Sequence, residues 1–430
     1  MADMRRFRYT DTDFHAAFAA FLDERRGQPA DVDAAAAEVL AAVKARGLEA
    51  VLDYTRRFDH VALTEQTIRV TPDEIAAGVA ACDPAVREAI AFAAGRIRAY
   101  HERQRPADQR WTDEAGVELG WRWGPLESVG VYVPGGRAAY PSTVLMNCIP
   151  AQAAGVDRIA MVTPPGKLQP AVLAAAHEAG VSEIWRIGGA QAVAALAYGA
   201  GPIAPVDKIV GPGNAFVTAA KRRLYGVVGL DALAGPSEIV VVADADNDPE
   251  WIAGDLLSQA EHDPAAQAIL ITDDEGLAAA VEAAVERLLR TLATGEDAAA
   301  SWRDHGAVII APLAYSPGLV DAIAPEHVEF CTHDPDSLAD QVRHAGAIFL
   351  GKYTPEALGD YVAGSNHVLP TSRAARFQSG LSLFDFLKRT SVINVGKAGF
   401  AILGPHTVAL AEAEGLPAHA LSAALRLPQR

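Results

Sequence analysis

The chain has 430 residues, half of them hydrophobic and 21% charged, which is enough for a buried core and for two or more domains. Its formal net charge of −17 argues against nucleic acid or an anionic membrane as a partner. No apolar stretch approaches the roughly 20 residues of a membrane helix, "MADMRRFRYTDTDF" lacks the apolar run of a secretory signal, and three scattered cysteines (Cys82, Cys148, Cys331) suit a reducing cytoplasm.

The first third reads as helical. "DVDAAAAEVLAAVKARG" and "DPAVREAIAFAAGRIRAYHERQRP" carry spaced apolar positions, and each opens on an Asp able to cap it. "GWRWGPLESVGVYVPGG" reads as extended chain, with a strand over 129–133. The pattern then alternates. "PSTVLMNCIPAQAAGV" is a helix interrupted at Pro150, "DRIAMVTPP" a strand, "LQPAVLAAAHEAG" a helix, "SEIWRIGG" a strand, "AQAVAALAYG" a helix, "DKIVGPG" a strand and "NAFVTAAKRRLYG" a helix. A second set follows: strand "SEIVVVADAD", helix "DPEWIAGDLLSQAEHDP", strand "QAILITDD", a long helix over 275–292, and strands "GAVIIAP" and "GAIFLG". Short apolar strands ending in Gly or Pro turns, each followed by a helix, predict parallel, doubly wound sheets, which bind ligands beyond the carboxyl ends of their strands. The two sets could be related halves. After about residue 370 the pattern weakens, and "AEAEGLPAHALSAALRL" reads as a helical tail.

Several stretches carry groups suited to chemistry. "LLSQAEHDP" puts Gln259 and His262 in the last turn of a helix, on one face, either as metal ligands or as a solvated helix end. "IAPEHVEF" sets Glu326 beside His327; on a loop both could enter a cleft as an acid–base pair, and a surface turn is the plain alternative. "GDYVAGSNHVLPT" adds Asp360, Asn366 and His367, and the tail adds Glu412, Glu414 and His419. Together these supply mixed N/O ligands for a divalent metal such as zinc. The turns "VPGGRAAYPST", "RIGGAQA" and "VGPGNA" follow strands and open helices, where backbone amides bind phosphate, although none is the G-x-G-x-x-G fingerprint. Cys148 could trap an aldehyde, but it sits in an apolar helical pattern with no activating neighbour, as a buried structural thiol does.

The motifs "GVYVPGGRAAYPSTVLMN", "IGGAQAVAALAYG", "VGPGNAFVTAAKR", "AGPSEIVVVAD", "DLLSQAEHDP", "IAPEHVE", "GDYVAGSNHVLPT" and "AEAEGLPAHA", in this order, make the whole chain resemble the histidinol dehydrogenase family. The resemblance implies a cytoplasmic homodimer that oxidises L-histidinol to L-histidinal and then L-histidine, with two NAD⁺ and one Zn²⁺ per subunit. It implies zinc ligands Gln259, His262, Asp360 and His419, the last from the partner subunit. It also implies substrate contacts at Ser237, His327, His367 and Glu414 besides those ligands, cofactor contacts at Tyr132, Gln191 and Asn214, and Glu326 and His327 as the catalytic pair. The expected fold is two Rossmann-like, incomplete dinucleotide-fold α/β domains. A helical region over 1–127 would pack partly with the first of them (128–233), the second (234–375) would hold the metal and catalysis, and 376–430 would be a dimerisation tail.

Overall fold

The computed structural model describes residues 4–24, 30–135, 140–232 and 235–428. The middle of the first glycine-rich turn, 136–139, lies outside them. Among the described residues, fourteen strands run in chain order: β1 (Arg6–Arg8), β2 (Gln109–Thr112), β3 (Val117–Pro125), β4 (Ser128–Tyr132), β5 (Arg158–Val162), β6 (Glu183–Trp185), β7 (Lys208–Val210), β8 (Gly229–Leu230), β9 (Glu238–Ala243), β10 (Gln267–Thr272), β11 (Ala307–Ile310), β12 (His327–Cys331), β13 (Ala347–Leu350) and β14 (Leu387–Val395). They form a parallel sheet in the order β6-β5-β4-β7-β8, a parallel sheet in the order β1-β11-β10-β9-β12-β13, and an antiparallel sheet β14-β3-β2.

The two alternating sets therefore fold alike. Counted within each set, both sheets run 3-2-1-4-5, and β1 adds an edge strand to the second. Each order reverses beside the first strand of its set, between β4 and β7 and between β9 and β12. Every residue of β9 and β10 is buried, because parallel strands are covered by helices on both faces.

Four expectations change in detail. The first long helix runs Ala30–Arg46, so Asp31 lies within it rather than capping it, whereas Asp83 does cap Pro84–Glu102. The helix expected over 275–292 is Glu275–Leu289. The helix Pro249–Ala260 stops before His262, which sits just past its end. Pro150 does not break the helix Pro141–Ala154. A helical proline leaves the carbonyl four residues back without its usual N–H. Here that carbonyl, on Met146, accepts Asn366 Nδ2 at 2.6 Å, which docks the Asn366–His367 loop onto the helix. No helix among the described residues is long and apolar enough to cross a membrane.

Candidate active site

Strand β12 begins at His327, where the sequence suggested a loop, and pairs with β9 so that His327 lies opposite Ile239. Glu326 and His327 consequently bond the two backbone groups of one residue of β9. Glu326 Oε2 accepts the Glu238 N–H at 3.0 Å, and His327 Nδ1 donates to the Glu238 carbonyl at 3.2 Å. That bond leaves Nε2 of a neutral imidazole with its lone pair free. Burial lowers the His327 pKa and pushes the Glu326 carboxyl well above its ordinary range.

His327 Nε2 faces two carboxylates, Glu356 Oε1 and Asp360 Oδ1, each at 3.9 Å. Both acids come from the short helix Glu356–Tyr361, one turn apart and so on one face. That helix is anchored from beneath. The Glu356 N–H donates to Glu329 Oε1 at 2.5 Å, and Ser258 Oγ donates to Glu356 Oε2 at 3.0 Å. Glu329 follows His327 by two residues and shares its face of β12.

The end of the helix Pro249–Ala260 completes the group. His262 Nδ1 lies 3.3 Å from the Gln259 carbonyl, which turns Nε2 toward Asp360 Oδ2 at 4.0 Å. His367 Nδ1 donates to the Asp360 carbonyl at 3.1 Å, and burial takes the His367 pKa down to about 4, so it is neutral. The structure thus brings together Gln259, His262, Glu326, His327, Asp360 and His367. Ser237 precedes Glu238 at the same edge of the sheet. Glu414 and His419 stand exposed on the tail, at the end of Lys397–Ala413 and on Pro417–Ala424, and among the described residues no hydrogen bond or ion pair ties them to this group. Sequence reasoning passed over Glu356, although its spacing of four from Asp360 in "PEALGDY" was a usable signal.

The donors suit a cation. Ligand atoms of His327, Glu356 and Asp360 lie within 4.8 Å of one another. Gln259 Oε1 and Glu356 Oε1 are buried with no hydrogen-bond partner. Burial also raises the Asp360 carboxyl and takes Glu356 up to about 7, a cost that a divalent ion among imidazole, amide and carboxylate donors would remove.

This group lies at the amino ends of β9 and β12, not at the carboxyl ends that open sheets usually offer. The helix dipole gives a reason. Helices connecting parallel strands present their carboxyl ends at the strands' amino ends, and helix carboxyl ends favour cations. The first sheet uses its other edge. At the carboxyl ends of β4, β6 and β7 stand Tyr132, Gln191 and Asn214. The Gly189 N–H donates to the Tyr132 hydroxyl at 3.0 Å, and Asn214 caps the helix Ala215–Arg223. Gly211 adopts φ 109°, and a Cβ there would collide with the Tyr132 carbonyl, so the "VGPGN" turn needs glycine. Thr163 Oγ1 and Gln191 Oε1 are buried without partners. Helix amino ends and orphaned polar atoms at a strand-order reversal fit a dinucleotide.

Residues 22–427 match the family described as histidinol dehydrogenase. The chain belongs to the histidinol dehydrogenase family. It is 80% identical to a histidinol dehydrogenase from Caulobacter vibrioides over 99% of both chains, and 58% identical to one from Rhodospirillum rubrum over 98% of both. Its fold is similar to a crystal structure of histidinol dehydrogenase from Elizabethkingia anophelis, with a TM-score of 0.93, 35% identity and 98% of each chain covered. A thiol mechanism finds no support: Cys148 is wholly buried within the helix Pro141–Ala154, and burial raises its pKa far above that of a free thiol.

Proposed function

We propose that this site oxidises L-histidinol through L-histidinal to L-histidine, the last steps of histidine biosynthesis, with NAD⁺ taking up a hydride in each step. The supporting observation is the Glu326–His327 pair on the backbone of Glu238, with His327 grouped with the carboxylates of Glu356 and Asp360 beside Gln259 and His262.

Loss of hydride from the carbinol carbon requires loss of the hydroxyl proton. His327 Nε2, whose lone pair is kept free by the Nδ1 bond to Glu238, accepts it. The second step needs water added to the aldehyde. Glu326, whose carboxyl is raised by burial, activates that water, and His327 again takes a proton. Zinc held by Gln259, His262, Asp360 and the partner subunit's His419 would orient the substrate's nitrogen atoms and polarise its oxygen. His367 and Ser237 line the substrate's place, and Glu414 reaches it from the tail of a second copy. Tyr132, Gln191 and Asn214 hold NAD⁺ at the first sheet.

The active unit in this reading is a homodimer with shared sites, working in the cytoplasm; three free, buried cysteines are consistent with a reducing compartment. The chain divides into a nucleotide-binding domain over 128–233, a catalytic domain over 234–375, a helical region before them and a dimerising tail after them. The deciding experiment counts NADH formed per L-histidinol consumed. Two NADH per substrate, lost on chelation and restored by Zn²⁺, are expected. Full turnover by metal-free protein, or no NADH at all, would overturn the reading.

A further inference from the structure

The helix Leu48–Phe58 packs its inner residues Val51 and Tyr54 into the cluster that holds Tyr132, Ala190 and Val193. It ends at Asp59, whose N–H donates to the Thr55 carbonyl at 2.9 Å. Three features of Asp59 have no purpose in the fold itself. A carboxylate at a helix carboxyl end faces the negative end of the dipole. Its Oδ2 is buried and accepts no hydrogen bond. The next residue, His60, takes φ 58°, a left-handed conformation that non-glycine residues rarely adopt and that clusters at functional sites. Neither neighbouring arginine neutralises it, since Arg56 pairs with Asp53 and Arg57 lies over the Phe58 ring; burial raises its pKa and His60 opposes that. The charge of Asp59 reaches the Tyr132 hydroxyl, at the carboxyl end of β4.

Dinucleotide folds place the acid that binds the adenosine ribose at the end of the second strand. In this sheet the second strand is β5. It runs out into Thr163 and Pro164, with no carboxylate, and Thr163 Oγ1 is buried without a partner. We infer that Asp59 supplies the missing acid from outside the sheet. Its carboxylate accepts the 2′- and 3′-hydroxyls of the adenosine ribose of NAD⁺, and its charge repels the 2′-phosphate of NADP⁺. The inference rests on the reading of this edge as the NAD⁺ site and adds the residue that selects the cofactor.

Calorimetric titration of the full-length protein tests it without recourse to activity. Wild type should bind NAD⁺ at least about 100-fold more tightly than NADP⁺, and should bind 2′-deoxy-NAD⁺ at least about tenfold more weakly than NAD⁺. Asp59→Asn and Asp59→Ser should shrink the NAD⁺/NADP⁺ ratio by at least about tenfold. Gln191→Ala should weaken both cofactors alike and leave the ratio unchanged. A wild-type ratio in folded Asp59 variants overturns the inference while the NAD⁺ site stands. So does a wild type indifferent to the 2′-hydroxyl, a result that needs no variant to fold. If wild type binds neither cofactor, the site reading falls and the inference falls with it.

Discussion

The "VGPGN" turn beside the cofactor edge is held by a buried ion pair, and removing one partner should be costly. Lys221 and Asp231 pair with side chains only 3% and 4% exposed. Lys221 Nζ also donates to the Gly211 carbonyl at 2.8 Å, and the Gly211 N–H donates to Asp231 Oδ2 at 2.6 Å, so the pair holds both backbone groups of Gly211. Lys221→Met strands a buried carboxylate, which costs about 3–5 kcal/mol. With a urea slope of about 2 kcal/mol per molar, the unfolding midpoint of this unit should fall by about 1.5–2.5 M. Adding Asp231→Asn removes the charge and keeps an oxygen for the Gly211 N–H, so the double variant should recover all but about 1 kcal/mol. Fluorescence of Trp185, buried in β6, reports the transition. The deficit should also depend on pH in one direction. Burial raises the Asp231 carboxyl and Lys221 opposes it. Without Lys221 the folded pKa stands further above the unfolded one, so the loss is full above the raised value and shrinks as pH falls through it. A single variant within about 1 kcal/mol of wild type, or a double variant no better than the single, would refute this account.

Three further outcomes follow from the catalytic group. Glu326→Gln should slow histidinal oxidation by about 10²–10⁴ and histidinol oxidation much less, while His327→Asn slows both, as single-turnover NADH absorbance would show; equal losses in Glu326→Gln would contradict the assignment. Cys148→Ala should keep most of the activity, and a loss of orders of magnitude in folded protein would bring covalent catalysis back. Mixing an inactive His419→Ala chain with an inactive Glu326→Gln, His327→Asn chain should restore a fraction of wild-type activity, because one site of the mixed dimer then combines intact parts. No recovery in confirmed heterodimers would place the tail on its own chain's site.

Most strands of the two parallel sheets were legible because they are buried on two faces and read as apolar runs; β12, buried throughout but interrupted by His327 and Glu329, and the two-residue β8 were not. The third sheet was not. Strand β14 is mostly exposed along its length, so "LKRTSVINV" carries no burial pattern, and its partner β3 lies more than 250 residues earlier. The same reason hid β1, three residues at a sheet edge. In the site, Gln259, His262, Glu326, His327, Asp360 and His367 could be named from local motifs, but Glu238 could not. Its part is played by its backbone, in a register that only the β9–β12 pairing creates. Glu356 was missed for a related reason. Its carboxylate matters through contacts with His327 and Ser258, residues 29 and 98 positions away.

The grip of Glu326 and His327 on the backbone of one residue, Glu238, makes the parallel ladder a ruler for the acid–base pair. Their spacing is set by the step between consecutive residues and by the β9–β12 register, and no surface loop intervenes. A slip of one residue would throw both side chains to the opposite face, so this geometry has no partly working version. Fraying at the periphery, including the glycine turns of the first sheet where we propose that NAD⁺ binds, would raise the NAD⁺ concentration needed for turnover. The rate at saturating cofactor should hold as temperature rises and then fail abruptly when the Glu238 amide begins to exchange with solvent. Catalytic failure and melting of the β9–β12 sheet would then be one event seen by two instruments.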